Sequence, residues 1–464
     1  MQLVTRVRST AASYLSSARF ASFLQRIARG KRRLARQAPC VHYFHQVDDP
    51  YSHLAVQKLD QLRAQYALPF VVHLVSESAD DYKGSVDDFA IWAQRDAVTI
   101  AAGYAATLDI SHSPTPSQIL QANRTLSPHL SSDTFATIAQ QVGDELWTNN
   151  LSTEPSDQET TEQTNNALAA GNALREKLGH YAGAMFYFDG EWFWGVDRLH
   201  LLESRLTAEG FAPPGTTPSV PLPKAPDTTG LNAHAVTLEY FPSLRSPYTA
   251  IGHSRVLALI ERSGVKVHLR PVMPMLMRGV TAPQAKQRYI ITDAGREGRF
   301  YKDPLAKVVD PFGEPVKTAF NLYAGAVELG QGMDFVTAYL RAAWQNGVDI
   351  TTIQGLQQVA QDAGIDWQHM VAAADKVSWE ALLDDNLQAL TGWQHHKSQR
   401  YITELDHLMN NVPKDSNKGE VLPKAVPELP EPPRGPGAGM WVLLGFFALL
   451  LTLKMLGRPT LAAG

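Results

Sequence analysis

The sequence predicts an α/β protein built from two copies of one domain, each enlarged by helical insertions and followed by a single apolar helix at the C-terminus. A phrase that occurs twice, VHYFHQVDDPYSHLA from Val41 and VTLEYFPSLRSPYTAIG from Val236, carries the duplication. The copies register through Tyr43/Tyr240, Phe44/Phe241, Pro50/Pro247 and Tyr51/Tyr248 at an offset of 197 positions, with Asp49 facing Ser246 and Ser52 facing Thr249. Self-similarity on that scale signals a repeated domain. In each copy a short β-rich run leads through a Pro-containing turn into a helical pattern, the grammar of a strand–turn–helix unit.

In the first copy the strand at Val41 is followed by a helix within HLAVQKLDQLRAQY and a second strand, PFVVHLVS. After a polar, mostly helical stretch, alternation in MFYF, the Asp189-Gly190 turn and EWFW predict a β-hairpin, with a helix from Asp197. In the second copy the strand KVHLRPV is followed by amphipathic helices, among them FVTAYLRAAWQNGVDI and LQQVAQDAGIDW. The segment after Thr391-Gly392, WQHHKSQRYITELDHLMNN, has no strand alternation. This copy is therefore expected either to end in a helix or to take its closing hairpin from the other copy.

The strand followed by S-P-Y-[ST] resembles the first βα turn of the DsbA-like thioredoxin superfamily, in particular its 2-hydroxychromene-2-carboxylate isomerase and kappa-class glutathione transferase branch. The resemblance implies two thioredoxin-like domains in tandem. In that branch both cysteines of C-x-x-C are replaced, and a Ser at the first position supports the thiolate of bound glutathione. Ser246 takes that place in the second copy and Asp49 in the first. Cys40 is the chain's one cysteine, so dithiol oxidoreductase chemistry is excluded.

By that resemblance Ser246 is the candidate catalytic residue. Its hydroxyl, at a helix N-terminus, would stabilise a glutathione thiolate attacking a hydrophobic or aromatic electrophile. Arg245, Pro247, Tyr248 and Thr249 are the candidate neighbours of glutathione on the same turn, Arg245 being a feature of this sequence rather than of the family pattern. Pro283, Lys286, Tyr289, Asp293 and Arg296 match a family helix, and their spacing puts them on one face; Lys286 and Tyr289 are the ligand-facing candidates, with internal pairing as the alternative. In the first copy Asp189, Gly190, Glu191, Gly195, Asp197 and Arg198 match the family's closing hairpin, where Asp197 and Arg198 would hold the γ-glutamyl end. The alternative for that pair is a helix cap and a surface ion pair. The family's cis-proline falls on Ala184, where a cis bond would cost roughly 3 kcal/mol. Asp49 would repel a thiolate, so a capping role fits it better. Apolar Met273, Met275, Leu276 and Met277 either line a substrate pocket or fill core. No metal is expected, because the adjacent His395 and His396 point apart on a helix.

The ends depart from the average composition. Net charge is -4, which gives no pull towards nucleic acid, yet Met1 to Val47 hold nine Arg or Lys residues and no acid. With Tyr14, Leu15, Phe20, Phe23, Leu24 and Ile27 at helical spacing, this segment reads as a basic amphipathic helix that lies on an anionic membrane, serves as an organelle-targeting presequence, or packs on a domain. Residues 412–439 hold seven prolines and suit an extended linker. MWVLLGFFALLLTLKMLG, from Met440, is near the lower length limit of about 17 residues for a membrane span. The sequence thus divides into a basic segment 1–37, a first domain 38–209, a Pro-rich connector 210–234, a second domain 235–411, the linker 412–439 and a transmembrane helix 440–457. A tail-anchored protein with cytoplasmic domains is expected. Two functions stand: a glutathione-dependent isomerase or transferase acting on a small hydrophobic electrophile, and a non-catalytic membrane-tethered scaffold that binds a partner peptide.

Overall fold

The computed structural model describes residues 3–78, 86–151, 158–223, 233–234, 236–279 and 281–392. The linker 412–439, the span 440–457 and the paired histidines lie outside them. The described residues separate into two compact units, one of residues 23–223 and the other of residues 3–22 with 233–392.

In the first unit a four-stranded sheet has the order β2-β1-β3-β4, formed by β1 (Val41–His45), β2 (Phe70–Leu74), β3 (Met185–Phe188) and β4 (Glu191–Trp194). β1 and β2 are parallel, so the chain must cross over between them. The crossover is a pair of short helices, α3 (Pro50–Val56) and α4 (Leu59–Gln65), where the sequence pattern reads as one. β3 returns antiparallel on the other side of β1, and β4 folds back on it. Asp189 and Gly190 both have positive φ, 35° and 90°, as a two-residue hairpin turn of this hand requires. Between β2 and β3 lie α5 (Val86–Ala101), α6 (Pro116–Leu126), α7 (Phe135–Trp147) and α8 (Gln158–Leu178), and α9 (Leu199–Ala208) follows the hairpin. Tyr43 and Phe186 stack at 4.6 Å in the core that these elements cover.

The second unit holds a two-stranded parallel sheet, β5 (Thr237–Tyr240) and β6 (Lys266–Leu269), joined by α10 (Pro247–Ser263). Its register repeats the first: Tyr43 faces Val72, and 197 positions on Tyr240 faces Leu269. α11 (Gln284–Phe300), α12 (Glu314–Glu328), α13 (Gly332–Trp344), α14 (Ile353–Asp362), α15 (Trp367–Ala374) and α16 (Trp379–Gly392) complete it. Among the described residues this unit has no closing hairpin, and the hairpin of the first unit is paired with that unit's own β1.

The basic N-terminal segment is two helices, α1 (Leu3–Leu15) and α2 (Ala18–Leu34). α1 is part of the second unit. Ala12 is fully buried in that core, and the hydroxyls of Ser9 and Ser13 accept the N–H groups of Asp310 and Val308. A Cβ on Gly295 of α11 would stand 2.2 Å from the carbonyl oxygen of Ser16, so only glycine admits this approach.

Candidate functional site

The Asp49 turn is closed by its own residues. Asp49 caps α3: one carboxylate oxygen accepts the Tyr51 N–H at 3.2 Å, the other the Ser52 hydroxyl at 2.9 Å. Ser52 is fully buried, and its oxygen accepts the N–H of Gln46 at 3.2 Å and of Ala184 at 2.8 Å. One hydroxyl thus spends its proton and both lone pairs on joining the turn to the loop before β3. Ala184, at the place of the family's cis-proline, is trans and sits at φ 52°. Its carbonyl accepts the N–H of Gly195, so neither of its backbone groups is open to an extended ligand. Next to it, a Cβ on Gly183 would come within 2.9 Å of the Asp49 carboxylate.

Tyr51, one residue into α3, donates its hydroxyl to Asp96 of α5 at 2.7 Å. Burial pushes the Asp96 carboxyl up to about 6, the Tyr51 hydrogen bond opposes this, and the nearby charge of Asp197 adds to it. A solvent-open cleft lies over the turn, lined by Asp48, Asp49, Tyr51, Phe89, Trp147 and Trp194 among others. Among the described residues no lysine or arginine lines it. Trp147 is 1% exposed, and its indole N–H meets no acceptor among the described residues. Asp197 and Arg198 form an ion pair with each other at 2.6 Å.

The Ser246 turn repeats this construction. Ser246 caps α10 by accepting the Thr249 N–H at 3.2 Å, and the Thr249 hydroxyl accepts the Ser243 N–H at 3.3 Å, as Ser52 accepts that of Gln46. Tyr248 donates to Asp293 of α11 at 2.7 Å, 45 residues away, the same separation as Tyr51 and Asp96. Asp293 also pairs with Arg296 at 2.7 Å.

The surroundings differ. Ser246 is 3% exposed, Lys286 1% and Tyr289 6%. Arg245 is completely buried: its guanidinium meets both carboxylate oxygens of Asp310, at 2.5 and 2.9 Å, and lies 4.6 Å over the Phe312 ring. Pro247 occupies the first turn of α10 and is buried, as is Met275. Arg245, Ser246, Pro247, Tyr248 and Thr249 therefore share one turn, with α11 bearing Lys286 and Tyr289 joined to it through Asp293. Asp197 and Arg198 belong to the first unit. Asp96, Trp147, Trp194 and Asp310 are not among the residues singled out from the sequence. The repeat itself marks Asp96, which stands 197 positions before Asp293.

Cys40 stands apart from both turns. Its sulfur is 3.5 Å from Nε2 of His42, whose Nδ1 is 3.0 Å from His73. Burial, with Asp189 nearby, raises the thiol above its ordinary pKa, which keeps it protonated and poorly nucleophilic. No group of His, Cys, Asp or Glu among the described residues is arranged to hold a metal ion.

Residues 237–393 match the family profile of the DSBA-like thioredoxin domain, so the second unit carries a domain of that class. Among solved structures, a crystal structure of a "putative protein disulfide isomerase" from Nitrosomonas europaea is similar at 15% identity, covering 34% of this chain and 78% of that one with a TM-score of 0.27. No curated protein matches the chain.

Proposed function

We propose that the protein is a tandem pair of thioredoxin-like domains that has left sulfur chemistry and works as a binding protein, its ligand a peptide-like cation held over the Asp49 turn. The observation that carries this reading is the lining of the first unit's cleft, which brings the carboxylates of Asp48 and Asp49 together with the aromatic rings of Tyr51, Phe89 and Trp194. Glutathione is an anion, and a thiolate placed beside Asp48 and Asp49 meets like charge. An ammonium group gains from both carboxylates and from the faces of Tyr51 and Trp194. The duplication is supported by the Tyr–Asp bond, the capped turn and the strand register, each repeated at one offset.

Glutathione-dependent isomerase or transferase chemistry at Ser246 is the second reading. Its support is a hydroxyl at the N-terminus of a 17-residue helix, where the helix dipole favours an anion. Calorimetric titration separates the two. Phenylalaninamide is expected to bind the wild type and to lose about tenfold in affinity in Asp48→Asn/Asp49→Asn, since a charge-assisted hydrogen bond contributes about 1.5–3 kcal/mol. Binding should tighten as Asp96 ionises through a pH of about 6. No heat with phenylalaninamide, together with glutathione heat abolished by Ser246→Ala, moves the function to the second unit.

The anchor rests on the sequence of residues 440–457. Removal of residues 440–464 is expected to abolish insertion into phosphatidylcholine vesicles, and insertion at the wild-type level would count against a span.

A further inference from the structure

Helix α2 is amphipathic with its faces reversed. The side turned to the first unit is polar: Gln25 donates to Glu191 at 2.9 Å, Arg29 pairs with Glu209 at 3.5 Å, and Arg32 grips Asp189 through its Nε and Nη2 at 2.8 to 3.2 Å. The side turned to solvent is apolar. Phe23 is 44% exposed, Ile27 40% and Leu34 87%, and their spacing of four and seven residues aligns them in one stripe. Arg26, Lys31 and Arg33 are exposed along the flanks of that stripe, and α2 contains no acidic residue.

Helices that pack on proteins turn their apolar side inwards. Here the inward side is held by ion pairs, which leaves Phe23, Ile27 and Leu34 in water at a cost in free energy that the unit itself does not recover. We propose that this face of α2 docks on an anionic lipid bilayer, the stripe entering the boundary between headgroups and acyl chains while Arg26, Lys31 and Arg33 meet lipid phosphates. The charge pattern selects that occupant. A cationic rim beside exposed apolar residues, on a helix that itself holds no acid, matches an anionic interface, whereas a second copy of α2 would bring like charges together. The inference is independent of the cleft and of the C-terminal span.

The test uses the full chain with Cys40→Ser and Phe23→Cys, labelled at residue 23 with nitrobenzoxadiazole, whose emission rises on leaving water. Vesicles of phosphatidylglycerol and phosphatidylcholine in equal parts are expected to raise that emission severalfold, and phosphatidylcholine alone to leave it unchanged even where the tail inserts. Lys31→Glu/Arg33→Glu on the same labelled chain should weaken the response at least tenfold, because each basic residue near an anionic surface is worth about fivefold in partitioning. Residue 23 remaining in water while the protein is vesicle-bound overturns the proposal. So does an emission that rises with protein concentration in the absence of lipid, which would assign the face to self-association.

Discussion

Asp310→Ala is expected to lower stability by about 3–5 kcal/mol, a large share of the 5–15 kcal/mol that holds an ordinary domain together. Arg245 is completely buried and Asp310 is 5% exposed, so the substitution would leave a guanidinium out of water with its counter-ion gone. The neighbouring Phe312 ring offers a face to the cation but cannot replace two charge-assisted hydrogen bonds. Arg245→Met combined with Asp310→Leu should recover most of the loss, because the pair repays its own desolvation poorly. Urea unfolding of the single and double variants measures both effects. The result also bears on function. An Arg245 that served glutathione would be dispensable for stability, and an Asp310→Ala protein within about 1 kcal/mol of wild type would restore that role.

Local features of the sequence carried much of the fold. The turn residues at Asp49 and Ser246, the Asp189-Gly190 hairpin and the alternation around it act over a few positions, and the strand register follows from them. Partners supplied by distant segments were hidden. Asp310 reaches Arg245 from 65 residues away, and no spacing announces it. Ser52 and Ala184 are joined across 132 residues, which turns an expected ligand edge into an internal bond. The periodicity of α2 reveals an amphipathic helix but not which side meets the protein, since that is decided by Asp189, Glu191 and Glu209 near the far end of the first domain. Asp96 is the exception. The offset that aligns the two turns also aligns it with Asp293, so carrying the repeat forward by one helix would have exposed the Tyr–Asp bond.

The second large effect is acid instability set by His45, in the middle of the first unit's core. This side chain is 3% exposed, within 2.9 Å of the Tyr43 hydroxyl and edge-on to the Phe135 ring. Burial, with His53 nearby, lowers its pKa to about 3, while in the unfolded chain it returns to about 6.5. Between those values the unfolded state binds the proton that the native state refuses. Stability therefore rises with pH across that window, is complete above about 6.5 and is lost on acidification, by an amount on the order of 3 kcal/mol at a pH of about 4. His73 and His253, both lowered to about 4 by burial, act with the same sign. Asp96 acts against them: its raised pKa favours the native state as pH falls from about 6 towards the ordinary carboxylate range. His45→Phe removes the largest of these titrations and keeps the aromatic contact with Phe135, and Tyr43 retains its bond to the Ser52 carbonyl at 3.0 Å. The difference in unfolding free energy between neutral pH and a pH of about 4, read from urea unfolding, should narrow in His45→Phe by about 3 kcal/mol. An unchanged difference would mean that His45 takes up its proton in the folded state, and that the core around β1 admits water.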